Sequence, residues 1–197
     1  MKPLSPKQIE VARAFILENA ISLLQEARLL SSHGFFARSY TLAHLASEEM
    51  VKIPMLVRAA LDDMAGIPYD WTNLERRLTS HKEKIDAGHF HDYLQTEIHA
   101  GDSDIHNYET ALKTTPELNA DKNDSIYCGF AEGTAKSPLT HVSEQLARKM
   151  IEVSSRRIRW VIRQEEVTRG ILFRGLSTES LERYKKMREI MGAEKVG

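Results

Sequence analysis

Apolar residues occupy more than one side of almost every helical turn between Phe35 and Met64. A helix at a protein surface has one apolar stripe, so a helix that is apolar on several sides is expected to lie among several neighbours. We expect Pro54 to kink this helix and the segment Gly66-Ile67-Pro68 to end it. The stretch therefore predicts a central helix inside a bundle, and it constrains the fold more than any other feature.

The other regular segments each carry an apolar stripe at helical spacing, and several begin with a residue that can cap a helix. Ser5 followed by Pro6 is typical of a helix start, because proline has no N–H group to leave unpaired. No segment alternates as a strand over more than a few residues. We therefore predict an all-α, up-and-down bundle of about six helices. Further helices are expected over residues 6–32, 70–88, 91–112, 143–172 and 177–192, the third of these weakened by Gly101-Asp102-Ser103.

Residues 113–141 interrupt this helical pattern. They lose the periodicity and contain Pro116, Gly129, Gly133 and Pro138, which favour turns. We expect an ordered loop or a short extended segment around Ile126-Tyr127-Cys128. The interruption is too short to be a second domain. Residues 1–197 are therefore expected to form one domain, with the C-terminal helix over 177–192 as a candidate appendage.

Charge and cysteine content narrow the functional classes. Lys and Arg total 27 and Asp and Glu total 28, giving a net charge of -1, which excludes a uniformly basic nucleic-acid-binding surface but allows a local one. The single cysteine, Cys128, cannot form an intramolecular disulfide, which fits a reducing compartment. No segment approaches the ~20 apolar residues of a membrane span, and the N-terminus does not resemble a secretion signal. We expect a soluble cytoplasmic protein without membrane partners.

Two adjacent carboxylates, Glu48 and Glu49, lie where the central helix should be most buried. Glu49 continues the apolar line of this helix, so at least one of the two is expected to face protein. A buried carboxylate needs a partner or it takes up a proton. His44 and Lys52 lie within one helical turn and are candidate partners. An internal ion pair that fixes helix packing and a functional site both remain open.

Residues 76–84, Arg-Arg-Leu-Thr-Ser-His-Lys-Glu-Lys, concentrate cations around His81. Metal-independent RNA cleavage needs a base for the 2′-hydroxyl, an acid for the leaving oxygen, and cations against the charge on phosphorus. A regular helix would place Arg76 about 140° from His81 but Arg77 on the same face as His81. Arginine-histidine pairs at this spacing arise roughly twice by chance in such a chain, so the motif alone is weak. Either arginine can be the partner of His81.

The long helix expected from residue 143 carries a basic stripe opposite its apolar side. Arg156, Arg159 and Arg163 lie near this stripe and could contact phosphate or an acidic partner. Glu152 and Glu166 interleave with them, which is typical of an exposed, salt-bridged helix face. The stripe is thus a candidate surface for RNA or a protein partner, with a solvated face as the alternative.

A third group of residues is rich in potential metal ligands. His91-Asp92 is similar to the histidine-aspartate pair of metal-dependent phosphohydrolases. The chain has no Glu-x-x-His sequence, which di-iron bundles require, and it has no phosphate-binding P-loop. We expect no metal and no cofactor, and we keep a metal-dependent phosphohydrolase as an alternative. The potential ligands in this region are His89, His91, Asp92, Asp102, Asp104 and His106.

Three blocks of sequence that occur in order between about residues 10 and 165 form a combination more specific than any one of them. The first block ends in Ala46-Ser47-Glu48-Glu49-Met50-Val51-Lys52. The second is Leu78-Thr79-Ser80-His81-Lys82-Glu83-Lys84-Ile85, which follows Trp71. The third contains Asn119-Ala120-Asp121-Lys122 and Ser125-Ile126-Tyr127-Cys128-Gly129-Phe130, with Pro138 and a long helix after it.

Together the three blocks resemble the abortive-infection family AbiV, a branch of the HEPN superfamily of small helical proteins. The resemblance implies an HEPN-like helical bundle, often a homodimer, in a prokaryotic defence protein that halts growth or translation after phage infection. Many HEPN members resemble metal-independent endoribonucleases in which arginine and histidine meet across the dimer interface. Such nucleases typically have a polar residue such as Asn after the motif arginine, whereas Arg77 follows Arg76 here. The resemblance also implies a polar pocket formed by Glu48, Glu49, Lys52, Lys84, Asn119, Lys122 and Tyr127.

The leading hypothesis is a phage-defence effector that acts on RNA or translation as a metal-independent endoribonuclease. His81 would be the general acid or base, and Arg76 or Arg77 would hold phosphate. In the alternative, a non-enzymatic protein uses Arg156, Arg159 and Arg163 to block a ribosome-associated target or to sense a phage protein.

Overall fold

A computed structural model describes residues 1–100, 105–131 and 133–193 as an all-α bundle with one small β-hairpin, which confirms the predicted fold class. The segment Gly101-Asp102-Ser103 lies outside the described residues. The helices are α1 (Pro6–Ser32), α2 (Phe36–Met50), α3 (Lys52–Met64), α4 (Trp71–Thr79), α5 (His81–Ala100), α6 (Ile105–Lys113), α7 (Thr115–Asp124), α8 (Pro138–His141), α9 (Glu144–Thr168), α10 (Ile171–Arg174) and α11 (Thr178–Ala193), and the strands are β1 (Gly129–Ala131) and β2 (Thr134–Lys136).

Helix α1 begins where the sequence predicts. The Ser5 hydroxyl accepts a hydrogen bond from the Gln8 N–H, and the Gln8 side chain accepts one from the Ser5 N–H at 2.9 Å. This capping box satisfies two N–H groups that the start of a helix would otherwise leave unpaired. The helix ends at Ser32, and the backbone then turns through Gly34 at a positive φ of 79°.

The central helix is present but divided. We expected one helix with a kink at Pro54, whereas the structure ends α2 at Met50 and starts α3 at Lys52. Pro54 therefore lies in the first turn of α3, where its missing N–H costs no hydrogen bond. Helix α2 contacts α1, α3, α5, α7, α8 and α9, as expected for a helix that is apolar on several sides.

The predicted boundary at Gly88 is wrong. Helix α4 already ends at Thr79, Ser80 is extended, and α5 runs through Gly88 without interruption. Gly88 serves close packing instead, because an added Cβ would lie 2.5 Å from Nη1 of Arg157 on α9. Glycine here makes room for a neighbouring side chain and does not end the helix.

The region of residues 113–141 is more regular than its sequence suggests. It contains helices α7 and α8 and the antiparallel pair of β1 and β2, in which Phe130 pairs with Ala135. Pro116 lies in the first turn of α7, a position that proline favours. The extended segment begins at Gly129 and so lies just after the predicted one.

Helix α11 is hydrogen-bonded to α3 through the buried carboxylate of Asp62. Asp62 is fully buried, and its Oδ1 accepts hydrogen bonds from Tyr184 Oη at 2.7 Å and from Arg188 Nε at 2.9 Å. Arg188 Nη2 also donates to Asp62 Oδ2. We call these three residues the Asp62 clamp. Within the described part of the chain, no helix is long and apolar enough to cross a membrane.

Candidate active site

A buried carboxylate, Glu48 on α2, is the centre of the candidate site. Its side chain is 2% exposed. Its Oε2 lies 2.6 Å from Nδ1 of His81 and 2.8 Å from Nζ of Lys84, both on α5. Its Oε1 lies 3.4 Å from Nε2 of His44 and 3.8 Å from Nζ of Lys122 on α7. We call these five residues the Glu48 cluster.

Local helix geometry explains how these side chains meet. His44 and Glu48 are four residues apart on α2, and His81 and Lys84 are three apart on α5, so each pair lies on one helix face. The break at Ser80 makes His81 the first residue of α5. On α7, Asn119 accepts a hydrogen bond from Lys122 Nζ at 3.1 Å and holds that amine near Glu48.

The electrostatics of the cluster keep Glu48 ionised. Burial alone would raise its pKa, but the nearby His44, Lys84 and His81 outweigh burial and lower the pKa to about 2. An ionised carboxylate only accepts hydrogen bonds, so the proton between Glu48 and His81 belongs to Nδ1 of His81. Burial lowers the pKa of Lys122, an effect opposed by the charge of Glu48.

His81 links this buried charge to the surface. Its side chain is 48% exposed, whereas Glu48 and Lys84 are buried. With Nδ1 committed to Glu48, Nε2 is unprotonated in the neutral ring, and it has no hydrogen-bond partner among the described residues. A carboxylate that orients one ring nitrogen and leaves the other free is the arrangement of a histidine acid or base.

The two candidate arginines lie on the last turn of α4, just before His81. Arg76 donates to Glu83 Oε1 at 3.0 Å and to Asn73 Oδ1 at 2.8 Å, and Nε of Arg77 lies 3.6 Å from Glu83 Oε2. Because Ser80 separates α4 from α5, the angles of a regular helix do not apply to either arginine. Both guanidinium groups share Glu83 as their acidic neighbour.

Comparison with known protein families identifies the family of the chain. A family described as AbiV, HEPN_AbiV, matches residues 8–159. The chain belongs to the HEPN AbiV family. No curated protein and no solved structure matches the chain. The match confirms the resemblance inferred from the sequence and implies an abortive-infection, HEPN-type function. It includes the whole Glu48 cluster and leaves α10 and α11 outside.

Three residues that the AbiV resemblance assigns to the polar pocket lie elsewhere. Glu49 forms an ion pair with Lys52 and accepts a hydrogen bond from Asn19 on α1 at 3.3 Å. We expected at least one of Glu48 and Glu49 to be buried, and the structure buries Glu48. The apolar line could not choose between them because α2 is covered on several sides. Tyr127 is 66% exposed, so most of its side chain is in solvent.

The basic stripe of α9 is exposed. Nη2 of Arg156 lies 3.9 Å from Oδ2 of Asp92. Arg159 and Arg163 are also exposed, and no acidic group of the described residues lies within 4 Å of either. Two of the three guanidinium groups are therefore available to a phosphate or an acidic partner.

Sequence reasoning missed Arg157, which is 7% exposed. It donates to Asp92 Oδ2 at 2.7 Å through Nη2 and to Ser47 at 2.6 Å through Nη1. The available signal was its position, seven residues after the buried Met150 on the apolar side of α9. A charged residue on an apolar stripe predicts a buried partner.

The potential metal ligands His91 and Asp92 make other contacts. His91 is buried edge-on against Trp160, with ring centroids 4.4 Å apart, and burial lowers its pKa to about 4. Asp92 is held by Arg157. Among the described residues, no three His, Cys, Asp or Glu side chains converge in a way that could hold a metal ion. Asp102 and Asp104 lie outside those residues.

A cavity of about 200 Å³ lies beside the Glu48 cluster, lined from α2, α5, α7 and α9. We call it the Tyr40 cavity. Its lining includes the polar residues Tyr40, His44, Glu48 and His89 and the apolar residues Ile85, Leu118 and Val153. The cavity and His81 thus contact the same carboxylate.

Proposed function

We propose that this AbiV-family protein is a phage-defence effector that cleaves RNA as a metal-independent endoribonuclease, with His81 as general acid or base. The observation that carries the proposal is the contact of His81 Nδ1 with the buried, ionised Glu48 at 2.6 Å. It holds a half-exposed imidazole in one tautomer with Nε2 available to a substrate. Glu48 is a positioning residue in this scheme, because it acts through His81.

The chemistry needs no metal ion. Nε2 of His81 removes the proton from a ribose 2′-hydroxyl, and the oxygen attacks the adjacent phosphorus. The bond from phosphorus to the 5′-oxygen breaks, and that oxygen takes up a proton from a general acid. The products are a 2′,3′-cyclic phosphate and a 5′-hydroxyl. When Nε2 accepts the proton, the negative charge of Glu48 stabilises the resulting imidazolium.

Arg76 or Arg77 would hold the phosphate. Both lie on the turn before His81, and His81 itself is at the N-terminus of α5, where backbone N–H groups favour an anion. A phosphate would compete with Glu83 for these guanidinium groups. HEPN domains often dimerise, and a homodimer could supply the general acid from the His81 of a second protomer.

The test compares bacterial cells that express wild type, His81→Ala or His33→Ala. His33 is an exposed histidine at the end of α1 and serves as the matched control. We expect wild type and His33→Ala to arrest growth and fragment RNA, and His81→Ala to do neither. Growth arrest by His81→Ala with intact RNA would refute the nuclease.

A second candidate is a non-enzymatic protein that binds a ribosome-associated target or a phage protein. The exposed Arg159 and Arg163, which have no acidic neighbour within 4 Å among the described residues, favour it. It predicts that Arg159→Glu with Arg163→Glu abolishes protection against phage while His81→Ala does not. The opposite result would refute it.

A further inference from the structure

The Tyr40 cavity concentrates polar atoms that lack hydrogen-bond partners. Tyr40 Oη, His44 Nδ1, Glu48 Oε1 and His89 Nε2 are buried and form no hydrogen bond with the described residues. All four residues line this cavity. Three of them are almost completely buried: the exposed fraction is 1% for Tyr40, 3% for His44 and 2% for Glu48. Leaving such groups unpaired costs free energy, so their concentration around one space indicates an occupant that pairs with them.

The charges around the cavity favour an uncharged occupant. Lys84 is paired with Glu48 at 2.8 Å, and Arg157 is paired with Asp92 at 2.7 Å. An anion in the cavity would meet the ionised Glu48, and a cation would meet Lys84. The atoms that lack a hydrogen bond are the Tyr40 hydroxyl, which can donate, two ring nitrogens, and Glu48 Oε1, which accepts and has only the longer contacts with His44 and Lys122. The occupant must therefore offer both donors and acceptors without a net charge.

The volume of the Tyr40 cavity and its apolar lining restrict the kind of occupant further. At about 200 Å³ the cavity is smaller than the ~300–1,000 Å³ of pockets for drug-sized ligands. Ile85, Leu118 and Val153 supply apolar contact to go with the polar atoms. A small, flat heterocycle with apolar faces and a hydrogen-bonding edge matches this lining.

Lys149 adds a charge to the same cavity. It is an exposed member of the lining on α9, and no acidic group of the described residues lies within 4 Å of its amine. An exposed, unpaired lysine favours a phosphate. We propose that the Tyr40 cavity binds one unpaired nucleobase, with an attached phosphate at Lys149.

This proposal rests on the proposed RNase function for its biological role, because it makes the cavity a base-recognition site beside His81. The shared carboxylate explains the coupling, because Glu48 contacts His81 through Oε2 and is also a lining residue of the Tyr40 cavity. Cleavage would then occur at RNA positions where an unpaired base can enter the cavity.

Binding is measured on His81→Ala protein, so that RNA is not consumed. The probes are the four ribonucleoside 3′-monophosphates and four single-stranded RNA octamers, each made of one base. We expect octamer binding with a preference among the bases. Binding of octamers alone would assign the cavity to RNA, and binding of monophosphates as well would extend it to free nucleotides.

Two variants test the cavity itself. Tyr40→Phe removes only Oη and should weaken binding about fivefold, while the thermal midpoint of the empty protein stays the same or rises because an unpaired hydroxyl is lost. Leu118→Trp should fill the cavity and abolish binding. Tyr69→Phe and Leu139→Trp, outside the lining, are the matched controls.

The proposal would be overturned if no probe binds, or if neither Tyr40→Phe nor Leu118→Trp weakens binding. The cavity would then hold only water. The two proposals fail separately. Base-selective binding without cleavage by wild type would refute the nuclease and keep the cavity, whereas cleavage with no effect of Tyr40→Phe or Leu118→Trp on base preference would do the reverse.

Discussion

The Glu48 cluster and the Asp62 clamp both place a carboxylate in the protein interior with cationic partners, yet they leave different atoms available. At Asp62 both oxygens accept hydrogen bonds, and the partners Tyr184 and Arg188 join α11 to α3. At Glu48, Oε1 lacks a hydrogen bond and the partner His81 is 48% exposed. The carboxylate of Asp62 is thus fully hydrogen-bonded inside the protein, whereas that of Glu48 has one oxygen without a hydrogen bond and a partner that reaches solvent.

The largest effect is expected at Glu48, where one substitution should lower both the unfolding free energy and the rate of RNA cleavage. Glu48→Gln leaves Lys84 and Lys122 buried without their anion and should cost about 3–5 kcal/mol of unfolding free energy. It should also slow RNA cleavage, because a neutral amide supports the His81 imidazolium poorly. Urea denaturation and cleavage rates, measured where the variant is folded, check both effects.

The matched variant is Asp62→Asn. It also removes the charge of a buried carboxylate and should lower the unfolding free energy, but RNA cleavage should stay at the wild-type rate. Equal loss of cleavage in both variants would remove the distinction between the two regions.

Acid pH tests the Glu48 side of the comparison. The pKa of Glu48 is about 2 in the folded protein and 4.5 when the group is unperturbed. The lowered pKa contributes stability that is present above pH 4.5 and is lost as the pH falls towards 2. Its full size is roughly 3 kcal/mol.

Unfolding free energies measured between pH 2 and pH 6 should therefore fall more steeply for wild type than for Glu48→Gln. Parallel curves would mean that Glu48 is not held ionised by its neighbours.

A smaller effect is expected on the Asp62 side. Tyr184→Phe removes one hydrogen bond to a charged group and should lower the unfolding free energy by about 1.5–3 kcal/mol. Limited proteolysis should then cut near α11 sooner than in wild type. Unchanged stability would show that the hydrogen bond from Tyr184 to Asp62 does not stabilise the protein.

The smallest effect concerns packing near the cavity. Gly88→Ala places a Cβ 2.5 Å from Nη1 of Arg157, which cannot move freely because Asp92 and Ser47 hold it. We expect a loss of about 1–3 kcal/mol in urea denaturation. Gly129→Ala, where an added Cβ meets nothing within 4 Å, is the control and should stay near wild type.

Much of the fold could be predicted from local patterns. The capping box at Ser5 and the cap at Ser143 depend on a few neighbouring residues, and the structure contains both. Gly88 and Pro116 were misinterpreted, because glycine and proline also occur within helices or at their starts. The function of Gly88 depends on Arg157, which is 69 positions away in the chain and not visible to any local pattern.

The candidate site was only partly accessible to sequence reasoning. The family resemblance singled out Glu48, His81, Lys84 and Lys122, but periodicity could not decide which of Glu48 and Glu49 is buried. The geometry that joins these groups comes from three helices, α2, α5 and α7. Spacing along one helix cannot report such contacts, and the unpaired polar atoms of the Tyr40 cavity have no sequence signature at all.

The most direct test of the central claim is cleavage of single-stranded RNA by purified protein in EDTA, with the product ends identified. Wild type and His33→Ala should give 2′,3′-cyclic phosphate and 5′-hydroxyl ends, and His81→Ala should be at least ~100-fold slower. Cleavage by His81→Ala at the wild-type rate, or no cleavage by wild type, would contradict the account.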